Sequence, residues 1–227
     1  MKPSPENVRL TKEIHARLDP LTVPSTPMIR AVRMEFSRRI ADAPPENVVQ
    51  LALHLLNQNS DHLRFFSYEL LSRHRPALER LTTDDLLKLG KGLNSWSSVD
   101  CFAMYLSGPL WAQGRIPDRM IATWARSKDR WWRRTALVST VVLSRRGNAD
   151  DLRRVSRICS LLGKDKEDMV VKALSWALRE MAKKHPEEAR AFLEEHKHTL
   201  AARVVREVNN KLKTGLKTPR RRASRST

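Results

Sequence analysis

Three short stretches of this chain set tryptophan beside charged side chains at helical spacing. Trp96 and Asp100 stand four residues apart, as do Arg130 and Arg134, and as do Lys172 and Trp176, with Arg179 a turn further on. On a helix such residues share one face. The carboxylate is the informative member. The chain carries 43 Lys and Arg against 25 Asp and Glu, a formal net charge of +18, which is the electrostatic footprint of a polyanion partner. A protein that merely coats a polyanion gains nothing from a carboxylate at the phosphate surface. A protein that must stabilise a developing positive charge there does. Arginines beside it would hold phosphate oxygens by charge-assisted hydrogen bonds. The indoles would lie against a sugar or base edge and attract a cationic ligand, leaving Asp100 to face an electron-poor carbon.

These residues need a scaffold, and the hydrophobic pattern describes one. Val48, Leu51, Ala52, Leu55 and Leu56 line one face; so do Leu63, Phe66, Leu70 and Leu71, and later Met120, Ile121, Trp124 and Ala125, then Leu137, Val138, Val141 and Val142. This is helical periodicity almost everywhere. Only 7 glycines occur among 227 residues, which argues against a nucleotide-binding loop and against tight β-hairpins. Pro44, Pro45, Pro117 and Pro186 stand at candidate helix starts, where a missing N–H costs little. Thr82 or Thr83, Asn148 and Asp165 are candidate N-caps. The pattern predicts an all-α chain of about a dozen helices, with turns near 43–45, 58–61, 75–83, 107–117, 127–129, 146–149, 162–166, 185–187 and 197–199. Helix pairs recur roughly every 35–40 residues, near the period of HEAT-type hairpins. Stacked hairpins of this kind form an α-α superhelix with a concave face, here expected to be a basic groove that gathers Trp96, Asp100, Arg134 and Trp176. We expect this domain to span residues 1–213, followed by a disordered basic tail over 214–227 that ends in Thr-Pro-Arg-Arg-Arg-Ala-Ser-Arg-Ser-Thr.

Other classes fit less well. No apolar run approaches the roughly 20 residues of a spanning helix, and the first residues lack the apolar stretch of a signal peptide. Cys101 and Cys159 stand far apart in apolar helical contexts and read as reduced core residues. The seven His residues show no pairing with Cys or acids that would suggest a metal cage, so neither metal nor cofactor is expected. Trp111, Trp124 and one of Trp131 and Trp132 read as packing residues. A HEAT-type protein-interaction scaffold would give no reason for the positive charge. Taken singly, Asp100 reads as a surface acid, and Arg133 with Arg134 as a solvated basic edge.

Together, and in this order, the stretches resemble the AlkD family of HEAT-like-repeat DNA glycosylases. The family's Trp-x-x-x-Asp corresponds to Trp96 through Asp100. Its Trp-x-x-Arg-x-Ala-hydrophobic stretch corresponds to Trp131 through Leu137, placing its arginine at Arg134. Its Lys-Ala-hydrophobic-x-Trp-hydrophobic-Leu-Arg-Glu stretch corresponds to Lys172 through Glu180, placing a second tryptophan at Trp176. The likeness runs from about Val23 to Lys211, with weaker agreement at Thr26-Pro27-Met28-Ile29-Arg30. Two departures are visible: His15 to Pro20 holds no Tyr or Phe, and Ser95 stands where a second tryptophan is common.

The resemblance implies a monofunctional enzyme that excises positively charged alkylated purines, 3-methyladenine and 7-methylguanine, from duplex DNA. Asp100, Trp96, Trp176 and Arg134 would be its catalytic residues; Arg30, Arg130, Arg133, Lys172 and Arg179 would bind DNA. It also implies recognition through the sugar-phosphate of the lesion rather than a deep base pocket. We expect a monomer, cytoplasmic and associated with the nucleoid, with no membrane partner. The competing reading is a non-catalytic HEAT-like protein that binds unusual or damaged DNA. The presence of Asp100, which such a relative would lose, argues for the enzyme.

Overall fold

The computed structural model of the protein describes residues 4–20, 24–56 and 60–219. Residues 58 and 59 of the turn expected near 58–61, Val23, and residues 220–227 of the expected tail lie outside the described residues. The described chain is all-helical. It runs α1 (Pro5–Leu18), α2 (Thr26–Arg39), α3 (Pro45–Leu56), α4 (Asp61–Arg73), α5 (Arg75–Arg80), α6 (Thr83–Gly90) and α7 (Trp96–Phe102), which continues into a π-helical segment, Ala103–Ser107. It then runs α8 (Gly108–Ala112), α9 (Asp118–Ala125), α10 (Arg130–Arg146), α11 (Ala149–Leu161), α12 (Asp168–Lys184), α13 (Pro186–His196) and α14 (Ala202–Thr214).

The helices form two compact units, Met1–Ser107 and Gly108–Thr227. Each is a two-layer stack of helical hairpins. In the first, α2, α4 and α7 are successive neighbours, and α1, α3 and α6 form the other layer. In the second, α10, α12 and α14 pack side by side, with α9, α11 and α13 against them. The cross-links between neighbours in that layer show that they run parallel. Arg134 bonds Met169, Arg145 bonds Glu180, and Arg203 bonds Asp168, each across 35 residues. A constant offset of one hairpin is what a HEAT-like stack requires, and it agrees with the period read from the sequence.

Local signals explain the boundaries. Thr82 and Asp85 form a capping box at the start of α6. Asn148 caps α11 through the Asp151 N–H at 2.8 Å. Gly147 ends α10 at φ 75°, in the left-handed region that glycine enters without strain. The apolar faces become the core: Val48, Leu51, Ala52, Leu55, Leu63, Phe66, Leu70, Leu71, Leu137, Val138 and Val141 are all buried. Some expectations need correction. The turn expected over 75–83 contains α5, and that over 107–117 contains α8. Asp165 is not an N-cap: α12 begins at Asp168, and Asp165 serves Arg133 instead. Among the described residues, no helix is long and apolar enough to cross a membrane.

Candidate nucleic-acid interface and catalytic residues

In the first unit the candidate residues gather around α7. Ser95 is its N-cap, accepting from the Ser98 N–H at 3.3 Å and hydrogen-bonded to the Ser98 hydroxyl at 2.9 Å. The serine at the position where tryptophan is common is thus the residue that starts the helix. Trp96, the first helical residue, is 57% exposed. Asp100, one turn later on the same side, is half-buried, while Val99 and Phe102 are buried, Phe102 edge-on to Tyr68 at 5.5 Å. A large exposed indole beside a partly shielded carboxylate is therefore the face that α7 presents. The π-helical segment follows directly, and such turns concentrate at functional sites.

Arg30 of α2 belongs to a network that sequence reasoning missed. Its Nε donates to Glu69 Oε1 at 2.8 Å and its Nη2 to the Tyr105 hydroxyl at 3.1 Å; that hydroxyl donates to Glu69 Oε1 at 3.2 Å. The guanidinium lies over the Phe65 ring, 5.5 Å from its centroid. Glu69 is only 2% exposed and also faces Arg33 at 3.5 Å. A buried acid needs such partners. Nothing in the sequence singles out Glu69, because α4 also carries Asp61, His62, Arg64, Ser67, Ser72 and Arg73; only its burial does. The Glu69 hydrogen bond, against the smaller cost of burial, raises the Arg30 pKa and keeps it firmly cationic. Burial pushes the Cys101 thiol up to about 12, with Asp100 and Glu69 adding to the effect. A thiol shielded in this way is a poor source of thiolate near neutral pH. Cys101 and Cys159 are both free thiols.

In the second unit the remaining candidates lie at the starts of α10 and α12 and along α12. Arg130 is exposed, ion-paired with Glu167 at 3.3 Å and set over the Trp131 ring at 4.9 Å. Arg133 donates to Asp165 at 2.7 Å and to the carbonyls of Ser127 and Lys128. Arg134 is buried, 6% exposed, and its Nη1 donates to the Met169 carbonyl at 2.6 Å, tying α10 to α12. Trp124 and Trp132 stack at 4.8 Å, and Trp111 is buried, so these indoles are packing residues.

Between the first and last turns of α12 the positions that are not buried form one stripe, Lys172, Trp176 and Arg179, which Asp168 and Lys183 extend at its ends. Trp176 is half-buried between Lys172, bonded to Asp168 at 2.6 Å, and Arg179. Arg179 donates to Ser175 Oγ at 3.2 Å and faces Glu207 of α14 at 3.8 Å. Desolvation lowers its pKa, and Glu207 and Glu180 only partly offset this.

The structure therefore assembles two groups: Trp96 and Asp100 on α7, with the Arg30 network in the same unit; and Lys172, Trp176 and Arg179 on one stripe of α12, with Arg130, Arg133 and Arg134 at the start of α10. All five cations expected to bind DNA carry an acidic partner: Arg30 has Glu69, Arg130 has Glu167, Arg133 has Asp165, Lys172 has Asp168 and Arg179 has Glu207. A phosphate meeting any of them meets a guanidinium or ammonium already partly neutralised. Among the described residues, no group of three or more His, Cys, Asp or Glu side chains is placed to hold a metal ion.

Comparison with known proteins places this scaffold in a class. Residues 9–212 match the model of the family described as DNA alkylation repair enzymes, and the chain belongs to that family. It is also similar to a solved structure from Enterococcus faecalis described as a predicted DNA alkylation repair enzyme, with a TM-score of 0.69 at 16% identity, covering 94% of this chain and 98% of that one. At that identity the likeness shows a shared fold. Comparison with curated proteins gives no match.

Proposed function

We propose that this member of the family is a monofunctional DNA glycosylase that hydrolyses the N-glycosidic bond of positively charged alkylated purines, 3-methyladenine and 7-methylguanine, in duplex DNA. The observation that carries the reading is Asp100: a half-buried carboxylate one helical turn from a 57%-exposed tryptophan, in a chain of net charge +18. Alkylation at N3 of adenine or N7 of guanine puts a formal positive charge on the base. Such a base leaves as a neutral molecule, so no strong general acid is required. As the C1′–N bond breaks, the sugar becomes oxocarbenium-like. Asp100 stabilises that cation and positions a water; the water oxygen bonds to C1′ and its proton passes to the carboxylate or to solvent. Stabilisation of developing charge by a fixed group is commonly the largest single catalytic effect.

On this reading Trp96 and Trp176 lie against the lesion's sugar or cationic base, Arg134 serves the lesion's phosphate, and Arg30, Arg130, Arg133, Lys172 and Arg179 contact the flanking backbone. The catalytic domain covers residues 1–213 and a basic tail covers 214–227. The protein acts as a cytoplasmic, nucleoid-associated monomer whose partner is duplex DNA carrying alkylated bases. The test is to incubate the protein with methylated duplex DNA and separate the soluble products by chromatography. Free 7-methylguanine and 3-methyladenine are expected, with no strand nicking. Binding of the duplex without release of any free base would overturn the reading.

A further inference from the structure

The cations expected to bind DNA are paired, yet a set of unpaired ones lies beside them. Arg133 is shielded, 19% exposed against 12% for its partner Asp165. It reaches two loops at once: Nη1 donates to the carbonyls of Ser127 at 3.0 Å and Lys128 at 2.9 Å, and Nε to Asp165 at 2.7 Å. Arg130 adds a second tie, to Glu167. The loop before α10 and the loop before α12 are thereby clamped edge to edge, at the starts of two parallel helices of 17 residues each.

The charges of this edge can be counted off. Asp129 caps the Trp131 N–H at 2.8 Å. Asp165 holds Arg133 and accepts from the Glu167 N–H at 2.9 Å. Glu167 holds Arg130, and Asp168 holds Lys172 and Arg203. What is left is Lys128, Lys164 and Lys166, all exposed, with no side-chain hydrogen bond or ion pair among the described residues. Three free ammonium groups on a clamped edge suit a run of phosphates, because each releases counterions without first breaking an ion pair. The positive ends of the α10 and α12 dipoles point the same way.

We infer that Lys128, Lys164 and Lys166 form a further contact edge for the phosphodiester backbone of duplex DNA, and that the ion pairs of Arg130 and Arg133 hold that edge together. This rests on the reading that the protein acts on duplex DNA. It deepens that reading by assigning backbone affinity to residues outside the family-like motifs.

The experiment is fluorescence anisotropy with a labelled undamaged duplex over a salt series. It compares the wild-type protein, the triple variant Lys128→Gln, Lys164→Gln and Lys166→Gln, and a charge-matched control, Lys12→Gln, Lys88→Gln and Lys91→Gln, at exposed positions of the first unit. Each phosphate neutralised contributes about 0.9 to the slope of log affinity against log salt. The lysine-edge variant should therefore lose about 2 or more of that slope and bind roughly tenfold to fiftyfold more weakly. The control should lose less than about 1 and bind within about threefold of wild type. Wild-type slope and affinity in the lysine-edge variant, or an equal loss in the control, would overturn the assignment while leaving the glycosylase reading standing. Failure of the wild-type protein to bind duplex at all would overturn both.

Discussion

Two arginines four residues apart on α10 should behave very differently when truncated. Arg134→Ala removes a guanidinium that is 6% exposed and bonded at 2.6 Å to the Met169 carbonyl. A hydrogen bond with a charged partner contributes roughly 1.5–3 kcal/mol. The two methylenes lost beyond Cβ add about 0.8 kcal/mol each. The expected loss is about 3–5 kcal/mol, and at roughly 2–4 °C per kcal/mol for a chain of this size the melting temperature should fall by about 6–18 °C. Arg130→Ala removes an exposed ion pair at 3.3 Å and a stacking contact with Trp131; each contributes at most about 1 kcal/mol, about 2 kcal/mol together, so its melting temperature should fall by no more than about 8 °C and by clearly less than that of Arg134→Ala. Thermal unfolding followed by far-ultraviolet circular dichroism measures both. Arg134→Ala melting within about 2 °C of wild type, or Arg130→Ala losing as much as Arg134→Ala, would refute the reasoning that Arg134 ties α10 to α12. The result also governs how activity is read, since excision by Arg134→Ala must be measured well below its new midpoint.

Two further outcomes follow from particular contacts. Gly147→Ala should cost at least about 1–2 kcal/mol, because its φ of 75° disfavours a side chain and an added Cβ would meet His185 Nε2; urea unfolding checks this, and a variant as stable as wild type would contradict it. Asp118 accepts from Trp111 Nε1 at 2.7 Å and Arg154 Nε at 2.8 Å. Burial alone would raise its pKa, but these bonds and the nearby arginine charges hold it below the ordinary carboxylate value. A depressed folded-state pKa gives stability that is present above the unfolded-state value and is lost as pH falls through the folded one. Asp118→Asn should therefore lower the melting temperature most at neutral pH, and the gap should close on acidification; a gap that widens at low pH would show that the charge of Asp118 is not stabilising.

Much of this molecule was legible in the sequence, and the rest was hidden for identifiable reasons. The long helices declared themselves because residues such as Val48, Leu51, Ala52 and Leu55 repeat at the spacing that buries one face. The hairpin period was visible for the same reason, and it reappears as bonds between residues 35 apart. The short α8 was not visible, because Gly108 and Pro109 are turn residues by propensity and become helical through packing on α10. Asp165 has the residue type of a cap, but Arg133 claims it across 32 residues, and no local pattern carries that distance. Glu69 reads as an ordinary polar residue until its burial beneath Arg30 and Arg33 is known. The motif residues are a similar case: type and order place Trp96 and Asp100 on one helix face, whereas the acidic partners of Arg30, Arg130, Arg133, Lys172 and Arg179 all come from other segments or from a neighbouring helical turn. Residue types point to phosphate contacts, and packing decides which cations remain available for them.

The central claim is that Asp100 stabilises an oxocarbenium-like sugar while an alkylated purine departs. It is tested most directly by single-turnover release of 7-methylguanine from duplex DNA, comparing wild type with Asp100→Asn at saturating protein. Asparagine keeps the size and much of the hydrogen bonding of the side chain and removes its charge. The account predicts a rate lower by at least roughly tenfold to a hundredfold, about 1.4–2.7 kcal/mol of transition-state stabilisation, with affinity for undamaged duplex equal or improved. An unchanged release rate in a folded Asp100→Asn protein would contradict it.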